Sequence, residues 1–145
     1  MTAIIDMARS PRSRLTLVLW LVAIHSFLVG VALIARPTML PELFGFNPSL
    51  ERFFPVQAGV FHIVIVVAYV MAALDVDKRR CLVVFSIIVK GMATVFLVTY
   101  FLAVDRIWLV LASALGDGVM GVAIYLSLYF YTRYKTIPNS ASSTT

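Results

Sequence analysis

The chain has 145 residues, 61% of them hydrophobic and 13% charged, with a net charge of +5 and a mean hydropathy of +0.97. Soluble domains carry about 25% charged residues, so this composition excludes one and marks an integral membrane protein. At about 20 residues per crossing, four helices fit and a separate catalytic domain does not.

Residues 1–14 form a basic N-terminal segment with Arg9, Arg12 and Arg14. The apolar run over 15–35 is too long for a signal core and ends in Ala35-Arg36-Pro37, without a small-residue cleavage pattern. It reads as an uncleaved first membrane helix, with the basic segment on the cytoplasmic side. In 36–52, Pro37, Pro41, Gly45 and Pro48 rule out one long helix. Leu40, Leu43, Phe44 and Phe46 suggest a short segment lying in the membrane interface. Asn47-Pro48 has the chemistry of an N-cap followed by the first helical residue. A second helix is therefore expected over 48–74, bent at Pro55.

Asp75-Val76-Asp77-Lys78-Arg79-Arg80 is a short charged turn, so the next helix, 81–104, should lie antiparallel to the second. Asp105-Arg106 allows only a tight hairpin into a fourth helix over 107–131. Residues 136–145 are polar, without an apolar period, and read as a disordered tail. The expected fold is all-α, an antiparallel four-helix transmembrane bundle in one domain over 15–135.

Lys and Arg fix the orientation. One side receives eight: Arg9, Arg12, Arg14, Lys78, Arg79, Arg80, Arg133 and Lys135. The other receives Arg36, Arg52 and Arg106. The bias places both termini in the cytoplasm and argues against a dual-topology transporter. The basic residues lie at helix ends with no interleaved aromatics, which excludes a nucleic-acid surface. Cys81 is the single cysteine, so an internal disulfide and a cysteine-based metal site are excluded.

Each expected helix carries one ionisable side chain near mid-membrane: His25, His62, Lys90 and Asp117. At about 1.5 Å per residue, His62 lies about 23 Å above the 75–80 turn, Lys90 about 19 Å and Asp117 about 25 Å. Charges at that depth are costly and normally meet a partner or a wet cavity. Four-residue spacing adds supporting polar groups: Ser86 and Thr94 beside Lys90, Ser113 and Tyr125 beside Asp117. Glu51, Pro55 and Tyr69 align with His62 on the second helix. Gly91, Gly116, Gly118 and Gly121 allow close helix approach. Side chains lean toward their own helix N-terminus, so Lys90 and Asp117 should lean apart and leave room for water, His62 or a ligand between them. Two histidines, a lysine and one carboxylate are a poor donor set, so no metal is expected.

Four short helices, a Pro-rich first outer loop, a basic second loop and the segments Gly59-Val60-Phe61-His62, Val89-Lys90-Gly91 and Leu115-Gly116-Asp117 resemble the small bacterial BphX-like and DoxX-like membrane proteins. The similarity covers about 15–131. It implies a four-helix bundle of the bacterial inner membrane, beside catabolic, redox or lipid pathways, and brings no catalytic residues with it. The polar midplane group points first to a non-enzymatic bundle that binds a lipophilic ligand (a quinone, isoprenoid or membrane lipid) or serves as an accessory subunit of a larger complex. A proton-coupled transporter or channel subunit, with Asp117 and His62 as a relay in a homo-oligomer, is the alternative. An intramembrane lipid-modifying enzyme, with the same two residues as acid and base, comes last.

Overall fold

The computed structural model describes residues 10–35 and 53–136. Four helices account for nearly all of them: α1 (Pro11–Ala35), α2 (Phe53–Leu74), α3 (Arg80–Ala103) and α4 (Trp108–Thr136), and the described residues contain no strand. All four are long and apolar enough to cross a membrane. Only 17% to 28% of each apolar stretch is buried inside the bundle. Leu28, Val64, Val95 and Val119 are among the many side chains left outside. A surface that apolar is far larger than a water-soluble monomer exposes, and a bilayer is the solvent that suits it.

Helix ends follow local chemistry more than hydropathy. The Ser10 side-chain oxygen accepts the Ser13 N–H at 3.1 Å, and Pro11 stands at the first helical position. This cap starts α1 four residues before the apolar run, so Arg12 and Arg14 are helical, contrary to a helix beginning at 15. The α2–α3 turn closes on Asp75, whose carboxylate accepts the Lys78 N–H at 3.2 Å. Its carbonyl accepts the Arg79 N–H at 3.0 Å. At the far end of α3, the Val104 and Asp105 N–H groups both return to the Tyr100 carbonyl. Helix α4 runs five residues past 131. The Thr132 and Thr136 hydroxyls donate to carbonyls one turn back, and Arg133 and Lys135 sit in the last turn, where cations favour the helix dipole. The interfacial segment in 36–52, Glu51, the helix start at Asn47-Pro48 and the polar tail beyond 136 lie outside the described residues.

Buried positions on α4, with the partly buried Asp117 among them, step by four and three in alternation: Val110, Ala114, Asp117, Gly121, Ile124, Leu128 and Tyr131. Leu15, Leu19, Val22 and Ser26 do the same on α1, and Val83, Ser86 and Lys90 on α3. This 3.5-residue period is the seam of left-handed helix packing. Helix α1 packs most broadly on α2, and α3 on α4.

The main apolar cluster fills one half of the bundle. Leu15, Leu19 and Val22 meet Tyr69, Ala72 and Val76 there, with Val83 and Ile124 behind them. At the end of that half, Asp77 gathers three elements. It accepts the Tyr131 hydroxyl at 2.5 Å, pairs with Lys135 and lies 3.5 Å from Arg12 Nε. The Lys135 hydrogen bond, reinforced by that from Tyr131, holds the Asp77 carboxyl below its ordinary range. Nearer the other end α1 and α2 nearly touch. A Cβ built at Gly59 would stand 2.8 Å from the Gly30 carbonyl oxygen, and one at Gly30 would stand 3.0 Å from that of Gly59. No larger residue fits either position without parting the two backbones.

Candidate functional site

Lys90 and Asp117 meet directly. Lys90 Nζ lies 2.5 Å from Asp117 Oδ1, with side-chain exposures of 3% and 13%. The expected outward lean of the two side chains is overcome by a staggered arrangement. A Cβ at Gly121, one turn beyond Asp117, would be 3.3 Å from Lys90 Cβ. The lysine stem therefore starts level with Gly121 and climbs about one turn, about 5.4 Å, to reach the carboxylate. Gly118 makes an ordinary contact with Thr94, whereas Gly91 and Gly116 face open space and contribute no close approach.

Tyr69 closes the site from α2. It is 1% exposed, and its ring centre stands 5.9 Å from Lys90 Nζ, within cation–π reach. From α1, Ser26 sits beside Tyr69 and is 1% exposed. Its hydroxyl satisfies no hydrogen-bond geometry with Tyr69 or any other group among the described residues. His62 is half-buried against the close crossing at Gly30. His25 lies at the surface. All four helices thus converge on one polar group, with Lys90 and Asp117 at its centre and His25 at its rim.

Four supporting residues behave otherwise than expected. Ser86 donates to its own helix at the Leu82 carbonyl, 2.7 Å away, and Thr94 to the Lys90 carbonyl at 2.8 Å. Both hydroxyls are taken up by the α3 backbone. Ser113 and Tyr125 are exposed. A strict spacing of four drifts about 40° per step around a helix of 3.6 residues per turn, which carries them off the face that holds Asp117. The residue the polar stripes overlooked is Ser26. Extending the Leu15, Leu19, Val22 seam by one more step finds it.

The pair is neutral as a whole, and two charges brought this close in an apolar bundle recover much of their desolvation cost. Tyr69, Ser26 and the imidazoles add hydroxyl and ring nitrogens that can donate to an oxygen-bearing head group. Among the described residues no three His, Cys, Asp or Glu converge as a metal site.

Comparison of the chain with protein-family models, curated proteins and solved structures finds no match.

Proposed function

We propose that this small integral membrane protein binds a lipophilic ligand through the Lys90–Asp117 site, or docks through it as an accessory subunit of a membrane complex. The observation that carries the reading is the ion pair itself, 2.5 Å long and buried where all four helices meet. Intramembrane ionisable groups mark functional sites by default. The Ser26 hydroxyl, buried beside Tyr69 without a well-formed hydrogen bond of its own, supports a ligand over simple structural glue, because it places a further donor next to the ion pair. An amphiphile with a carbonyl or hydroxyl head, such as a quinone, an isoprenoid alcohol or another lipid, suits these donors.

The same proposal includes an antiparallel bundle with both termini in the cytoplasm of a bacterial cell. Supporting it, Arg12 at the start of α1, the α2–α3 turn and the last turn of α4 share Asp77, and that end carries most of the Lys and Arg. The loose resemblance to BphX-like and DoxX-like proteins agrees with an inner-membrane location.

Mass spectrometry of lipids that co-purify in mild detergent tests the ligand. Wild type should retain a defined lipophilic species that Asp117→Asn loses. Absence of any bound lipid, with binding and partner association unchanged in Asp117→Asn, removes this reading.

One observation favours a second reading, proton-coupled transport. His25 at the surface, half-buried His62 and the buried pair form a graded series of titratable groups. It requires a homo-oligomer and a pH-dependent flux in proteoliposomes that His62→Ala abolishes.

A further inference from the structure

We infer that the groove between the first turn of α1 and the second half of α4 is a seat for an anionic phospholipid, with its phosphate on Arg14 and an acyl chain along Ala123 and Leu126. The groove has a volume of about 280 Å³ and is lined by Pro11, Arg14, Ala123, Leu126, Ser127 and Phe130. It is separate from the Lys90–Asp117 site. Its lining combines polar and apolar groups. Arg14 and Ser127 supply the polar donors, and Ala123 lies one turn deeper, about 6 Å toward the middle of the bundle. Leu126 and Phe130 make the remaining walls apolar. Polar donors with an apolar wall on their deeper side match a lipid whose head group meets Arg14 and Ser127 and whose tail runs toward Ala123.

Charge selects the head group. The guanidinium of Arg14 has no acidic or hydrogen-bonding partner among the described residues, whereas Arg12 and Lys135 are committed to Asp77 and Lys78 to Asp75. Asp75 and Asp77 are thereby answered, and Arg14 is left with no counter-charge among the described residues. Guanidinium matches a phosphate by two parallel hydrogen bonds, and the Ser127 hydroxyl is a second donor in the same groove. The neighbouring cleft of about 190 Å³ between the α2–α3 turn and α4 has Asp77 in its wall. Its two cations are already engaged, Lys135 with Asp77 and Arg80 with the Thr132 hydroxyl, so the Arg14 groove is the favoured seat.

Native mass spectrometry of the full chain in detergent micelles, titrated in turn with phosphatidylglycerol, phosphatidylcholine and glycerol 3-phosphate, tests the assignment. Phosphatidylglycerol should bind several-fold better than phosphatidylcholine, and glycerol 3-phosphate should not displace it. Arg14→Gln should weaken phosphatidylglycerol about five-fold, the effect of one basic residue near a membrane surface. Arg14→Lys should keep most of the binding, and Arg106→Gln at the other end should change nothing. Ala123→Phe, which fills the slot, should weaken both lipids. Arg14 is exposed, so its variants retain the fold, and an unchanged elution volume verifies this. Equal binding of the two lipids, wild-type binding by Arg14→Gln, or displacement by glycerol 3-phosphate alone overturns the proposal; the last result would assign Arg14 to a soluble anion.

Discussion

A side chain at Gly121 would bring its Cβ to 3.3 Å from the Cβ of Lys90. The missing methyl group is what lets α3 and α4 approach until the lysine can reach Asp117 one turn away. Gly121 is thus part of the ion pair although it carries no charge.

Substitution at this position should separate it from the other glycines. Gly121→Val is expected to destabilise the detergent-solubilised protein by about 1–3 kcal/mol through overpacking. Gly91→Ala and Gly116→Ala face open space and should be neutral or gain up to about 1 kcal/mol from helix propensity. Thermal unfolding of the three variants decides. A loss at Gly116→Ala as large as at Gly121→Val would mean that the α3–α4 contact is misplaced.

The ion pair makes an asymmetric prediction. Lys90→Met alone leaves a carboxylate buried without its partner and should cost about 3–5 kcal/mol. Lys90→Met combined with Asp117→Leu removes both charges and should recover most of that loss. Ligand retention should stay absent in the double variant. Restored stability together with restored binding would show that the pair holds register and nothing else.

Helix number and the central polar residues were legible in the sequence because apolar length and scarce charge are strong signals in a lipid-soluble chain. Lys90 and Asp117 could be paired from depth alone, since the 75–80 and 105–106 turns fix their level. Facing was less legible. A spacing of four selected Ser113 and Tyr125, which the 3.5-residue seam excludes, and passed over Ser26, which it includes. The hydroxyls of Ser86 and Thr94 looked like part of the site because sequence does not reveal that each bonds its own backbone. Helix α1 starts early for a similar reason: a Ser10-Pro11 cap outweighs the charge of Arg12 and Arg14.

The end of the bundle held by Asp77 should loosen in acid. Its carboxyl titrates below the ordinary value of 3.8 in the folded protein, chiefly through Lys135 and then Tyr131. A folded value below the unfolded one means that the contribution is complete at pH above about 4 and is lost as pH falls through the folded value. Amide protection at residues 76–80, taken relative to the intrinsic exchange rate at each pH, should therefore fall below about pH 4, and in Asp77→Asn it should be low at every pH. Protection flat across that range in the wild type would dissociate Asp77 from the clamp.

Cys81 offers a test of orientation without any added probe site. It is exposed at the start of α3, one residue past the basic turn, on the side assigned to the cytoplasm. A membrane-impermeant maleimide should leave it unmodified in intact cells and label it in inverted vesicles. The reverse pattern would overturn the topology and, with it, the lipid leaflet from which the Arg14 groove is filled.

Ser26 gives the sharpest division between stability and binding. A buried hydroxyl without a partner forfeits the hydrogen bonds that water would give it, at about 1–3 kcal/mol in soluble proteins and less within a bilayer. Ser26→Ala removes that penalty and opens a void no larger than one oxygen atom, so the ligand-free protein should melt at the same or a higher temperature. If the hydroxyl donates to a bound head group, the same change should lower ligand retention. Opposite movement of the two measurements follows only when the unused donor belongs to a site. Were Ser26→Ala to lower the melting temperature and leave retention intact, the hydroxyl would be a packing element, and the ligand would have to be held by Lys90, Asp117 and Tyr69 alone.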